Sequence, residues 1–203
     1  MPDPSETSWM PLSPWAGLLA TVGPSPAGVT VAPRQGLSLL SIGISPGGEA
    51  GVAAMLSERF GLALPRTPRV SRADRIDIVW AGFGQWLVVA QDRQQGAELR
   101  ESFDGLAATA DQSAGRAMLR IGGPRARDAL AKGCPIDLHD SVFAPGDVAL
   151  TSLAHVPVHL WRSDDGATPR SPAFDAVVPR SMVGSFWSWF SASAAEFGCE
   201  SAP

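Results

Sequence analysis

The sequence predicts an α+β domain, with mixed and mostly antiparallel sheets on which helices pack. Three observations predict this class. Short apolar runs typical of strands occur in pairs, single segments with apolar residues at helical spacing separate those pairs, and turns containing Gly or Pro divide the elements. Strand pairs that alternate with single helices are typical of α+β domains. The chain has 203 residues, 45% of them hydrophobic and 18% charged, which is enough for a packed core.

Residues 1–35 are predicted to form an extended, proline-rich arm. Proline removes a backbone donor and restricts the residue before it, so we expect no central strand and no long helix here. A short helix over residues 15–21 is compatible with the sequence. The arm also carries apolar residues, among them Trp9 and Trp15, that a solvated tail does not need. We therefore expect the arm to become ordered against the body or against a partner.

The body is predicted to be a single domain over residues 36–203, with two loosely similar halves at about 36–112 and 113–198. Helices are predicted where apolar residues recur at helical spacing, as at Val52 and Leu56. In the first half, the predicted elements are a strand at 36–44, a helix at 49–60, strands at 75–80 and 85–91, a helix at 95–106 and a strand at 107–112.

The second half repeats this pattern in outline. Its predicted elements are a strand at 116–121, a helix from Pro124 to Gly133, a loop at 135–146, strands at 147–153, 156–161 and 173–178, and a closing helix at 181–197. Pro124 suits the first helical position, because its ring fixes φ near the helical value and its missing N–H has no intrahelical partner there. Residues 162–172 are predicted to form a polar turn.

The charge pattern argues against a nucleic-acid-binding protein. The net charge is −4 and Lys132 is the single lysine, whereas phosphate binding needs clustered positive charge. The densest arginine group, Arg66, Arg69, Arg72 and Arg75, is interpreted as a solvated loop face or a protein contact. The sequence shows no apolar run of about 18–20 residues and no secretory signal, so we expect a cytoplasmic protein that does not bind membranes.

The sequence contains no residue pattern that predicts a catalytic, cofactor-binding or metal site. His155 and His159 flank Pro157 in a predicted strand, where all three would share a face, but a metal site would need a further ligand. Cys134 follows a predicted helix C-terminus, where the helix dipole disfavours a thiolate, so we expect an inert thiol. The glycine pairs lack the context of a phosphate-binding loop, and the paired aspartates fall in predicted loops.

Several stretches together resemble one known family in their order and spacing. These are residues 80–89 (WAGFGQWLVV), 111–117 (DQSAGRA), 121–126 (IGGPRA), 130–139 (LAKGCPIDLH), 142–146 (VFAPG), 178–181 (VPRS), 186–189 (FWSW) and 195–198 (AEFG). Over about residues 36–198 they resemble the gamma subunits of heterotetrameric sarcosine oxidase. Phe83 stands where the family pattern has proline, and residues 1–35 and 162–172 have no counterpart in the pattern.

The resemblance implies a non-catalytic subunit with the fold of the folate-binding glycine-cleavage T-protein. It also implies alpha, beta and delta partner subunits. FAD, FMN, NAD and tetrahydrofolate are expected in the larger partners and zinc in the small delta subunit, with no cofactor in this chain. The complex would demethylate sarcosine oxidatively to glycine and pass the one-carbon unit to tetrahydrofolate. Two alternatives remain open: a free-standing folate-binding or one-carbon module, and the gamma-like subunit of a related flavin amine dehydrogenase.

A subunit interface is predicted from the tryptophans and from one loop. Seven Trp exceed what one small core requires, and Trp is enriched at protein interfaces. The candidate interface residues are Trp9, Trp15, Asp137, His139, Trp187 and Trp189. Asp137 and His139 either hydrogen-bond within the loop or meet a partner. Gly133 is predicted to cap the preceding helix in a left-handed conformation. We expect the chain to aggregate when its partners are absent.

Overall fold

The computed structural model describes residues 13–73, 75–163 and 171–202, which form two stacked β-sheets flanked by helices. The elements in chain order are β1 (Val29–Arg34), β2 (Ser38–Gly43), α1 (Glu49–Phe60), β3 (Val70–Ala73), β4 (Ile76–Gly82), β5 (Gln85–Ala90), α2 (Arg93–Ser102), β6 (Ala108–Asp111), β7 (Arg116–Gly122), α3 (Ala126–Ala131), β8 (Val148–Leu153), β9 (Val156–Ser163), β10 (Ala173–Pro179), α4 (Val183–Ala194) and β11 (Cys199–Ser201). The α+β class predicted from the sequence is confirmed.

The first sheet has five antiparallel strands in the order β3-β4-β5-β2-β6. Because side chains alternate between the two faces of a strand, Leu40 and Ile42 of β2 point to the same side. There they pack against α1 and α2, whose buried residues Val52, Leu56 and Leu99 recur at helical spacing. The two helices therefore cover one face of this sheet.

The second sheet has six strands in the order β11-β1-β7-β10-β9-β8. Its neighbouring strands are antiparallel, except that β1 and β11 run parallel. α3 and α4 cover one face, and the buried side of α4 is rich in aromatic residues such as Phe186 and Phe190. In the described part of the chain, no helix is long and apolar enough to cross a membrane.

A third apolar layer lies between the two sheets. It is formed by residues of β2, β4 and β5 that face residues of β7, β8, β9 and β10, namely Leu39, Val79, Leu87, Val89, Met118, Val148, Trp161 and Val177. The edge strands also meet, because the Val70 N–H donates to the Gly146 carbonyl and the Val148 N–H donates to the Pro68 carbonyl, both at 2.9 Å. The four layers therefore run helix, sheet, sheet, helix.

The two sheets are built from the same succession of elements. The first is β2-α1-β3-β4-β5-α2-β6, and the second is β7-α3-β8-β9-β10-α4-β11. In the first sheet β2 pairs directly with β6, whereas β1 lies between β7 and β11 in the second. The N-terminal strand is thus an insertion into the second copy of a common topology.

The strand β1 corrects the expectation that residues 1–35 contain no central strand. Val29 and Val31 are buried, and β1 has a neighbouring strand on each side. Pro33 is tolerated because β11 pairs only with residues 29–31, so the strand has a single neighbour where the proline lies. The short helix over residues 15–21 is also wrong: the chain forms turns there, and Gly17 has a φ of 74°, which a helix does not allow.

Two further short strands, β3 and β11, were absent from the sequence prediction. β3 contains Arg72, so the arginine-rich segment is partly an edge strand and not only a loop. Three of its arginines have carboxylate partners: Arg69 pairs with Asp147, Arg72 with Asp77 and Arg75 with Asp92.

Candidate functional site

A cleft of about 870 Å³ opens between the two sheets. Its walls come from β2, β5 and β6 on one side and from β8, β9 and β10 on the other. Arg116 and His159 are the ionisable side chains among its lining residues, and the other polar groups are hydroxyls, such as those of Ser41 and Thr109, and the amide of Gln85. The cleft is large enough for a small molecule, but its lining holds no carboxylate to pair with the histidine.

His159 is held in its neutral form. Burial, with a smaller contribution from the positive charge of Arg116, lowers the pKa of its imidazole to about 4. His155 is not beside it in the strand as predicted, because Ala154 and His155 form the β8–β9 turn with φ values of 46° and 71°. Across residues 13–73, 75–163 and 171–202, no three His, Cys, Asp or Glu side chains are grouped so that they could hold a metal ion.

A buried ionic cluster joins the two sheets beside the third apolar layer. Asp175 of β10 is fully buried and accepts two hydrogen bonds from Arg120 of β7, at 3.1 and 2.8 Å. Ser163 also donates to it, and Arg34 and Arg72 approach it at 3.9 and 4.0 Å. The three guanidinium groups offset the cost of burying this carboxylate.

The ionic cluster was not predicted from the sequence, although the sequence contains a signal for it. Asp175 and Arg120 are single charged residues within otherwise apolar strand segments, AFDAVV and MLRI. A charge in such a place is rarely fully buried unless it is paired. The two residues face each other in register, which only the sheet topology reveals.

The loop after α3 is exposed but internally bonded. The Asp137 carboxylate accepts a hydrogen bond from the His139 backbone N–H at 2.8 Å, and His139 Nδ1 lies 2.8 Å from the Ser141 hydroxyl. Arg127 donates to the Leu138 carbonyl at 2.7 Å and anchors the loop to α3. Of the two readings of Asp137 and His139, hydrogen bonding within the loop is therefore observed, and both side chains remain exposed.

Gly133 in this loop has a different role from the predicted cap. It is not among the glycines with positive φ, and the helix C-cap is Lys132 in a right-handed conformation. A Cβ at Gly133 would lie 2.5–2.9 Å from atoms of the Trp189 indole. Glycine is required because the ring of Trp189, on α4, packs directly on the backbone of this loop.

The tryptophans proposed as interface residues differ in their exposure. Trp15 is 3% exposed, donates its indole N–H to the Met118 carbonyl at 3.1 Å and meets Phe186 edge to face. Trp187 is 6% exposed. Both belong to this chain's own core and offer little surface to a partner, and their place at a subunit interface stays a prediction. Trp189 is partly exposed, and Trp9 lies outside the described residues.

The two cysteines are poor nucleophiles. Burial raises the pKa of the Cys134 thiol above its usual value. Burial and the nearby Glu200 raise the pKa of Cys199 to about 11. Both thiols are therefore protonated at neutral pH, in agreement with the inert thiol expected for Cys134.

The most exposed apolar side chain of the described residues lies at the β4–β5 turn. Phe83 is 97% exposed and contacts the half-buried Trp80 edge to face, with ring centroids 6.1 Å apart. In the sequence, Phe83 stands out only as a departure from a family pattern. Its exposure depends on the tight turn between Gly82 and Gly84, which alternation along the strands does not reveal.

The fold formed by the two sheets and their helices is similar to part of a solved aminomethyltransferase. The chain matches the glycine cleavage system aminomethyltransferase T of Bartonella henselae with a TM-score of 0.63 at 14% identity, over 87% of this chain and 48% of that one. Its fold is therefore that of about half of an aminomethyltransferase T. The chain belongs to the sarcosine oxidase gamma subunit family, whose family model matches residues 46–196.

Individual relatives agree with this assignment. The chain is 32% identical over 143 residues to the sarcosine oxidase subunit gamma of Corynebacterium sp. strain P-1, which covers 67% of this chain and 69% of that protein. It is 34% identical over 122 residues to the corresponding subunit of an Arthrobacter species, with 58% of this chain and 60% of that protein covered. It also matches a chain of the heterotetrameric sarcosine oxidase of Corynebacterium sp. U-96, solved with pyrrole 2-carboxylate, at a TM-score of 0.78 and 27% identity.

Proposed function

We propose that this chain is the gamma subunit of a heterotetrameric sarcosine oxidase, in which it has a scaffolding and not a catalytic role. The observation that carries the proposal is the likeness to the chain of the Corynebacterium enzyme, which spans 92% of this chain and 96% of that one. A match over nearly the whole of both chains is expected of equivalent subunits. The assembled enzyme would demethylate sarcosine oxidatively to glycine in the cytoplasm and transfer the one-carbon unit to tetrahydrofolate.

The geometry of the cleft between the sheets supports a non-catalytic role. A general base needs a pKa near the working pH and an orienting partner, but burial holds the pKa of His159 at about 4. The thiols of Cys134 and Cys199 are protonated at neutral pH, because burial raises the pKa of each. The ionisable residues of this chain therefore suit structure and assembly better than chemistry.

The partners are proposed to be the alpha, beta and delta subunits. FAD, FMN, NAD and tetrahydrofolate would lie in the larger subunits and zinc in the small one. The sequence resemblance supports this distribution, and so does a cleft without a glycine-rich loop at a helix N-terminus among its lining residues.

The loop at residues 137–142 is proposed as part of the contact with a larger subunit. Asp137 and His139 are exposed, and Val142 exposes 60% of its surface although it is apolar. The loop is held in one conformation, because Arg127 and Arg162 donate to the carbonyls of its neighbouring residues Leu138 and Phe143. A preorganised loop loses little conformational entropy when a partner binds.

Co-expression of the tagged chain with the candidate alpha, beta and delta subunits tests the proposed function. We expect the four chains to elute together, to contain flavin and to form peroxide when sarcosine is added. The matched control omits only this chain. If the other subunits assembled and turned over sarcosine equally well without it, while the tagged chain eluted alone, the proposal would be wrong.

The proposed contact through the loop at residues 137–142 is tested with the same co-expressed subunits. The double variant Asp137→Ala, His139→Ala should weaken co-elution at least tenfold in apparent affinity if both residues lie in a buried contact. The matched control, Asp104→Ala with His155→Ala, removes an exposed aspartate and an exposed histidine elsewhere on the surface. Equal co-elution of the two double variants would place the interface elsewhere and leave the proposed function standing.

A further inference from the structure

The cleft between the sheets opens where the third apolar layer ends. Leu39 of β2 belongs to that layer. Side chains two residues apart on a strand point to the same face, so Ser41 and Gly43 continue the face of β2 that begins with Leu39. Both residues line the cleft. The cleft therefore begins where small residues follow the leucine along β2.

On the first sheet, the wall of the cleft is built from small side chains. Ala110 and Ala108 of β6 lie directly opposite Ser41 and Gly43, and all four line the cleft. A Cβ at Gly43 would meet no atom within 4 Å. The facing sheet therefore does not fill the space beside this wall.

The second sheet supplies the ionisable side chains. Arg116 is two residues from Met118 on β7, and Met118 belongs to the third apolar layer, so both side chains point toward the first sheet. His159 pairs in register with Val177 of the same layer and points the same way. Arg116 and His159 therefore enter the cleft from one face of the second sheet.

Arg116 brings a positive charge into the cleft. Burial is the main reason that the pKa of His159 is low, and the positive charge of Arg116 lowers it as well, so this charge acts at the wall of the cleft. No aspartate or glutamate lines the cleft. Within residues 13–73, 75–163 and 171–202, the half-buried Arg116 side chain forms no hydrogen bond or ion pair.

An exposed apolar side chain lies in the same wall. Leu150 of β8 is directly opposite His159, lines the cleft and leaves 44% of its surface exposed. Covering an exposed leucine with an apolar group is favourable, because it removes apolar surface from water. The combination of Arg116 with Leu150 suits a ligand that has one anionic group and an apolar body.

We propose that the cleft between the sheets binds a small organic carboxylate with a flat, apolar body, such as an aromatic acid. The carboxylate pairs with the Arg116 guanidinium, whose planar fork matches its two oxygens. The flat body lies against the small side chains of the first sheet, in a slot between sheets of the kind that stack about 10 Å apart. The cleft volume of about 870 Å³ falls within the ~300–1,000 Å³ typical of small-molecule sites.

Equilibrium dialysis of radiolabelled benzoate against the full chain, alone or in the co-expressed complex, tests the proposal. Benzamide and acetate are matched probes, since the first lacks the charge and the second lacks the ring. We expect benzoate to bind saturably and at least ~10-fold more tightly than either probe. If benzoate did not bind saturably at concentrations up to about 10 mM, or if benzamide bound equally well, the proposal would be overturned.

The variant Arg116→Gln assigns the carboxylate contact. It should weaken benzoate binding at least ~10-fold and leave benzamide binding unchanged, since it removes a charge-assisted contact. In the complex, only the benzoate binding that this variant removes is counted. Arg66→Gln is the matched control, because Arg66 is exposed and lies outside the cleft. An equal loss in Arg66→Gln would show that the net charge, and not the cleft, attracts the anion.

The variant Gly43→Val tests the place of the flat body while keeping Arg116. Gly43 is not among the residues with positive φ, and valine suits a strand, so the unfolding temperature should be unchanged or higher. The added side chain occupies the space proposed for the ring and should weaken benzoate binding by about fivefold or more. Undiminished benzoate binding in the folded Gly43→Val variant would contradict the proposed site.

Discussion

The two halves of the molecule share one order of elements but are packed with different side chains. The buried core between the first sheet and its helices contains two aromatic residues, Trp86 and Phe103. The corresponding core of the second half contains six, namely Trp15, Phe143, Phe174, Phe186, Trp187 and Phe190. The same topology thus supports an aliphatic core in one half and an aromatic core in the other.

The insertion of β1 explains this difference. It widens the second sheet to six strands, against five in the first. At the same time α3 has only six residues, whereas its counterpart α1 has twelve. A wider sheet under a shorter helix leaves apolar surface to cover, and large rings cover more of it per residue than aliphatic side chains. The N-terminal arm contributes to this cover through Trp15.

The largest effect is expected from the ionic cluster that joins the halves. Arg120→Met should lower the free energy of unfolding by about 3 kcal/mol, because it leaves the fully buried Asp175 without its closest cation. Arg72→Met in the first half should cost less, about 2 kcal/mol, since its nearest partner Asp77 is buried but its side chain is still 12% exposed. Urea unfolding followed by tryptophan fluorescence measures both values.

A double variant separates the ion pair from ordinary packing. Arg120→Met with Asp175→Leu removes both charges, so its cost should be clearly smaller than the sum of the two single variants. Strict additivity of the two costs would show that Arg120 and Asp175 do not stabilise each other.

A buried tryptophan in each half provides the next comparison. Trp15 and Trp86 are 3% and 4% exposed, and each indole N–H donates to a backbone carbonyl. Replacing either with Ala should cost at most about 3 kcal/mol. Trp15→Ala should in addition release the N-terminal arm, because this side chain fixes the arm to α4 through Phe186. Limited proteolysis of the folded protein should therefore cut the chain near residue 15 in Trp15→Ala but not in Trp86→Ala. Identical fragments from the two variants would contradict the role of Trp15 in fixing the arm.

The sequence predicted the helices and strands better than it predicted which strands pair and which side chains pack together. The bounds of α1 were correct, since its apolar spacing and Gly61 are local signals. Strand β1 was missed because its seven-proline surroundings suggested an arm, and only pairing with β7 and β11 makes it a strand. The burial of Trp15 and Trp187 in this chain's own core was not predicted for a related reason: a tryptophan that covers its own sheet and one that covers a partner look alike in sequence.

Acid sensitivity is expected to arise from the second half, which contains all three histidines. The pKa of His159 in the folded protein is about 4, below its ordinary value of 6.5, because of burial and Arg116. Between these values the unfolded chain binds a proton more readily than the folded one. The contribution of His159 to the free energy of unfolding is therefore fully present above pH 6.5 and is lost as the pH decreases to about 4. At pH 5 the loss is about 2 kcal/mol.

Replacement of His159 tests this assignment. In His159→Gln the free energy of unfolding should change much less between pH 7 and pH 5 than in the wild type. His155→Gln removes the exposed histidine of the β8–β9 turn and should retain the wild-type difference. If both variants kept the full difference, the acid sensitivity would have another source.

The smallest effects come from a glycine in each of the topologically equivalent helices α2 and α4. A Cβ at Gly96 would collide with the side chain of Ser38 on β2, whereas a Cβ at Gly184 would meet no atom within 4 Å. Gly96→Ala should therefore destabilise the protein by about 1–2 kcal/mol, through overpacking. Gly184→Ala should stabilise it by about 0.5–1 kcal/mol, since alanine has the higher helix propensity and restricts the unfolded chain. Thermal unfolding of the two variants should shift the unfolding temperature in opposite directions, because α2 lies directly on its narrower sheet while Gly184 faces open space. Shifts in the same direction would show that helix propensity outweighs the packing difference between the halves.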